Sequence, residues 1–200
     1  FFSEVWREKG GFDVVIGNPP YVKFQDLSDE KKLKDDKFVE LLDYYTSGKY
    51  ADAEVELVIN GDFFDMLTAR TTSMTPYEIV ENIAVHKIKR ILKGHPKVIE
   101  RLRSFIEEQG HSIKYIWGNH DAGLWWPAVQ DEIRHTISPK IDFLFEPYEF
   151  DGVRIEHGHQ YEIMHHFDLQ NMFLKRKGRN ILNYPFGSFF VAGFLTRLKL

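Results

Sequence analysis

The residues with most capacity for chemistry fall in three short stretches, each beside a glycine. Gly61-Asp62-Phe63-Phe64-Asp65 carries two carboxylates, Gly118-Asn119-His120-Asp121 an amide, an imidazole and a carboxylate, and His157-Gly158-His159 two imidazoles. Carboxylate oxygens, amide oxygens and imidazole nitrogens are the donor set of hard and borderline divalent cations. A carboxylate held in place can bind such an ion while a second one, Asp65, orients a neighbouring group.

The elements that must position these side chains are strands. Leu57-Val58-Ile59 is a short apolar run, two of its members β-branched, and Asn60-Gly61 ends it in a turn that carries Asp62 past the strand's carboxyl edge. Ile113, Tyr115, Ile116 and Trp117 form another such run before Gly118, and Val153-Arg154-Ile155-Glu156 leads into His157. Open α/β sheets place their ligand sites at the carboxyl ends of strands, so the expected class is α/β.

In this order, G-D-x-x-D, then G-N-H-D, then a single-histidine motif, the chain resembles the calcineurin-like metallophosphoesterases over residues 36–200. The resemblance implies a β-sandwich flanked by helices, here incomplete, with divalent metal ions (manganese, iron, zinc or magnesium) at the strand ends. It implies Asp62, Asn119 and His157 as metal ligands. His120 would stand beside the leaving group, with Asp65 and Asp121 as carboxylates that hold it. The implied activity is that of a hydrolase, a phosphatase or phosphodiesterase in which a metal-activated water attacks a phosphoester. Two family motifs are missing, a first Asp-x-His and a last Gly-His-x-His. Residues 35–200 are therefore expected to be a truncated domain of impaired activity, on a phosphoester substrate of unspecified identity.

Residues 1–34 read differently. Phe12-Asp13-Val14-Val15-Ile16-Gly17 is a strand, followed by Asn18-Pro19-Pro20-Tyr21. That tetrapeptide resembles the motif of adenine-specific DNA methyltransferases, in which the Asn and a backbone carbonyl hold the target amino group and the Tyr stacks on the flipped base. No glycine-rich turn follows a later strand, so S-adenosylmethionine is not expected as a cofactor. The segment reads as a fused or misjoined piece, and a fragment of such a methyltransferase is the alternative function. A non-catalytic metal-binding or interaction module is the third.

Composition narrows the classes. With no cysteine there is neither a disulfide nor a thiolate ligand, and the net charge of -4 gives no electrostatic support for nucleic acid as a partner. The opening residues mix charges with aromatics, unlike a leader peptide, and a cytoplasmic location is the default expectation.

Apolar spacing predicts helices over 38–45, from the Thr75-Pro76-Tyr77-Glu78 capping box to Gly94, and over 96–109. Lys87 belongs to a basic set read as a solvated helix face, and His86, His95 and His111 are read as surface or packing residues. Trp125 and Trp126 are equally suited to core or to an apolar wall beside the site. Of the adjacent His165 and His166 at most one could face the site. Ile141–Phe145 and Val153–Glu156 are expected to pair as a hairpin across 147–152. The apolar stretch 186–195 is expected to form a short helix that contacts a partner or lies on a membrane surface.

Overall fold

The structure, a computed structural model, describes residues 3–5, 14–17, 29–69, 78–108 and 110–194, with side chains from residue 35 onward. Its centre is β3 (Glu56–Asn60), where period-two alternation sends Leu57 and Ile59 to one face and Val58 to the other. Around it lie β1 (Ser3–Val5), β2 (Val14–Gly17), β4 (Ser112–Ile116) and β5 (Asp142–Leu144), in one five-stranded sheet ordered β1-β2-β3-β4-β5. Only β1 runs antiparallel to its neighbour; β2 to β5 are parallel. The register Gly17↔Ile59 and Asn60↔Ile116 brings the carboxyl ends of β2, β3 and β4 to the same edge.

Parallel neighbours require crossovers, and helices supply them. α1 (Asp29–Tyr45) lies between β2 and β3, α2 (Glu81–Gly94) and α3 (Pro96–Glu107) between β3 and β4, and α4 (Pro127–Thr136) between β4 and β5. α1 packs along α3 and α2 along α4. Ile88, Leu102, Phe105, Val129 and Ile133 are buried in the core that these helices share with Leu57, Ile59, Ile113 and Tyr115. Burying each such side chain contributes about 1.5–3 kcal/mol.

The mixed α/β class is the one read from the sequence. The sandwich implied by the resemblance goes no further, among the described residues, than two separate two-stranded hairpins. β6 (Tyr148–Phe150) and β7 (Val153–Ile155) form one; β8 (Phe173–Arg176) and β9 (Arg179–Leu182) the other. β6–β7 packs through Ile155 on Val58 and Ile116, on the sheet face opposite the helices.

The expected pairing of 141–145 with 153–156 is corrected. β5 joins the main sheet beside β4, and β7 pairs with β6 across Asp151-Gly152. Both turn residues have positive φ, 45° and 78°, the geometry that an Asp-Gly dipeptide takes in a two-residue hairpin. Helix α2 starts at Glu81, after Val80; of the expected capping box, Thr75 to Tyr77 lie outside the described residues. The charged residues from Asp29 to Asp36 form the first two turns of α1. α5 (Phe186–Gly193) follows Pro185 and supplies the short apolar helix, whose expected end at Leu195 lies outside the described residues.

Candidate functional site

Two loops meet at the shared carboxyl edge because each contains a glycine where the other passes. Gly61 has φ 76°, and a Cβ there would come within 2.9 Å of Gly118 Cα; a Cβ on Gly118 would lie 2.6 Å from Asp62 N. Asp62 and Asp65 themselves have φ 58° and 43°. Left-handed backbone costs a non-glycine residue about 1–3 kcal/mol, so surrounding contacts must hold it there.

Those contacts come from the second loop and from the end of β7. The buried Asp62 carboxylate accepts from the His120 backbone N–H at 2.8 Å, and its other oxygen lies 3.2 Å from His157 Nε2. His157 Nε2 is also 3.2 Å from Asn119 Oδ1, while its Nδ1 is 2.8 Å from the Asn60 carbonyl. Asp62, Asn119 and His157 thus come together across 96 positions of sequence, with Asn60 fixing the imidazole from behind. His120 Nδ1 is 2.6 Å from Asp65 Oδ1, and Thr68 Oγ1 donates to the second Asp65 oxygen.

Asp121, wholly buried, accepts from the Tyr115 hydroxyl and from the Met66 N–H at 3.3 Å.

Charge settles among these groups in a definite way. Burial opposes ionisation of Asp62, but the His157 hydrogen bond and the two nearby imidazoles outweigh it and hold the carboxyl below its usual range. Burial likewise opposes charge on His120 and His157. Accepting a hydrogen bond from each ring, Asp65 raises His120 and Asp62 raises His157 above 6.5. Asp121 is pushed up to about 7 by burial and by repulsion from Asp62. Burial, followed by the His157 charge, lowers His159 to about 4, so it is neutral near pH 7. Both ring nitrogens of His157 thus face oxygen atoms, those of Asp62 and Asn119 on one side and the Asn60 carbonyl on the other.

Beside the cluster is a cleft of about 220 Å³ walled by Trp117, Phe145, Arg154, Glu156, His157 and Tyr161. Trp125 stands edge-on to Trp117 and Phe145, half-buried; Trp126 is buried against Phe173. His165 is half-buried and His166 exposed.

Sequence reading gave three contributors no role in the site. Lys87 is buried on α2, where its ammonium donates to the Met66 carbonyl at 2.9 Å; burial lowers it to about 8, with Asp65 partly compensating. Its signal was its place in the apolar stripe with Ala84, Ile88 and Ile91. Tyr115 and His159 could have been found from their positions at a strand end and beside His157. His95, read as a packing or surface residue, is buried and hydrogen-bonded to Asp35 at 2.8 Å. Asn18, Pro19, Pro20 and Tyr21 lie outside the described residues.

Residues 1–55 match the Eco57I restriction-modification methylase family. No curated protein and no solved structure matches the chain. This overturns the expectation of a metallophosphoesterase: the family likeness the chain carries is to methylases, not to a hydrolase or phosphatase. The divalent ions are corrected with it. Among the described residues no group of three or more His, Cys, Asp or Glu side chains is arranged to hold an ion; Asp62, Asn119 and His157 are hydrogen-bonded to one another and to the backbone. The cofactor that a methylase family implies is S-adenosylmethionine, in place of manganese, iron, zinc or magnesium. The chain is therefore similar, over its first 55 residues, to the Eco57I restriction-modification methylases.

Proposed function

We propose that this chain is a fragment of an adenine-specific DNA methyltransferase, in which residues 1–55 supply the segment that receives the target base. The observation that carries this reading is the coincidence of the methylase match with Asn18-Pro19-Pro20-Tyr21, directly after β2. β2 ends at the same edge as β3 and β4, where α/β sheets present ligand-binding loops. In such a motif the Asn18 side-chain oxygen and the Pro19 carbonyl accept hydrogen bonds from the adenine amino group, and Tyr21 stacks on the extruded ring.

The two loops beside this edge do not fit the methyl donor. The loops after β3 and β4 are closed on one another, leaving no room even for a Cβ at Gly118, and are filled by Asp62, His120 and His157. No transfer step is assigned to them, and the part proposed for this chain is base capture.

A duplex with 2-aminopurine opposite an abasic site provides the test. Binding of the chain is expected to quench 2-aminopurine as it stacks on Tyr21. Tyr21→Ala should abolish the quench, and Asn18→Ala should weaken binding of an adenine-containing duplex at least tenfold. Equal spectra and equal affinities for the native chain and both variants would refute base capture.

A further inference from the structure

Helix α5 wears its apolar bulk on the outside. Its small residues Gly187, Ser188 and Ala192 are buried, while Phe186 is 67% exposed and Phe189, Phe190 and Phe194 are exposed as well. Phe186, Phe190 and Phe194 recur every fourth residue and stack, with ring centroids 6.5 and 5.1 Å apart. The Gly187 N–H donates to the Met164 carbonyl at 2.8 Å, which sets Met164 and Ile163, the latter 88% exposed, against the start of the helix. An aromatic ridge continued by aliphatic side chains is more apolar surface than a solvated helix normally shows.

Charge identifies what covers it. From Phe173 to Leu200 there are six basic residues, Lys175, Arg176, Lys177, Arg179, Arg197 and Lys199, and no acidic one, in a chain whose net charge is -4. The first four stand exposed on the β8–β9 hairpin, which is joined to α5 by residues 183–185. We propose that α5, with Ile163, Met164 and the basic β8–β9 hairpin, is a docking surface for an anionic lipid bilayer. The Phe ridge enters the headgroup boundary while Lys175, Lys177 and Arg179 meet lipid phosphates.

The helix, about 12 Å long at ~1.5 Å per residue, lies in that boundary rather than crossing a ~30 Å core. No helix among the described residues is long and apolar enough to cross a membrane. A second copy of the chain fits less well, since a two-fold pairing would set basic hairpin near basic hairpin. Nucleic acid would use the basic hairpin and the Phe rings but would leave the aliphatic Ile163 and Met164 uncovered, which a bilayer buries.

Flotation of the full chain with vesicles tests this. With 30% phosphatidylglycerol in phosphatidylcholine at about 0.1 M salt, binding is expected to exceed that to pure phosphatidylcholine at least tenfold, and to weaken in higher salt. Lys175→Glu with Lys177→Glu should lose more than tenfold, each basic residue near such a surface contributing about fivefold. Phe190→Ser with Phe194→Ser should abolish flotation while the circular dichroism spectrum is unchanged. The proposal is overturned by absent flotation, by flotation indifferent to the Phe variant, or by equal binding to neutral vesicles. It is also overturned if the same Phe residues drive a concentration-dependent dimer, or binding to a single-stranded oligonucleotide that excludes vesicles.

Discussion

Asp62 is held by shape before it is held by charge. Its φ of 58° is adopted because the loop must turn between β3 and Gly118, and the two glycines allow the chains to pass at a separation that no larger residue permits. Gly118 has φ -119°, so alanine there suffers no backbone penalty and acts purely through its methyl group. Gly118→Ala is therefore expected to push Asp62 out of its bonds to His120 and His157, at a cost of about 1–3 kcal/mol for overpacking. Urea unfolding reads the loss. An unchanged midpoint for Gly118→Ala would mean that the loops are not in contact.

Elements bring His157 to this place, and one of them rests on little. Hairpin β6–β7 is fastened to the sheet through Ile155, which meets Val58 and Ile116, with Leu144, Tyr148, Phe150 and Val153 only half-buried around them. Ile155→Ala is expected to cost about 2–5 kcal/mol, with hydrogen exchange over residues 148–157 accelerating more than over β3 or β4. Uniform acceleration across the sheet would contradict a separately fastened hairpin. The sequence displayed part of this arrangement. Three apolar runs ending beside glycines announced β3, β4 and β7 and their polar loops, because period and turn residues are local signals. Strand partners are not local. Three-residue β5 could be assigned to β4 only by a parallel pairing, which leaves no turn signature, whereas the hairpin of β6 and β7 is marked by the Asp151-Gly152 dipeptide. The buried position of Lys87 was legible in the helical period of α2, but a charged residue in an apolar stripe is ordinarily read as solvated. Motif order read as metal chemistry was misleading for the same reason: spacing shows which polar groups converge, not whether a proton or a cation lies between them.

For the molecule as a whole, the cluster ties loops from β3, β4 and β7 into one titrating unit. His120 and His157 have folded pKa values raised above 6.5, so their stabilisation is fully present below about 6.5 and is lost as pH rises through the folded values. Asp121, raised to about 7, acts in the same direction: the folded state keeps its proton where the unfolded chain has released it, so stability declines up to that pH. His159, lowered to about 4, works oppositely, but only below 6.5, where the unfolded chain binds the proton and the folded one does not. Lys87, lowered to about 8, favours the folded state only as pH rises above that value. Between pH 6.5 and 8 stability is expected to fall as pH rises, chiefly through His120 and His157, with Asp121 adding only the part of its change that lies below about 7. Urea midpoints at pH 6.5, 7 and 8 in chelator-treated buffer are expected to decrease for the native chain. They should decrease less steeply in His157→Gln, where the imidazole facing Asp62 and Asn119 is replaced by an amide that does not titrate, while His120 still does. A native midpoint that rises over this interval, or a variant with the native slope, would show that His157 carries no proton between these oxygens and that the loops are joined by something other than charge.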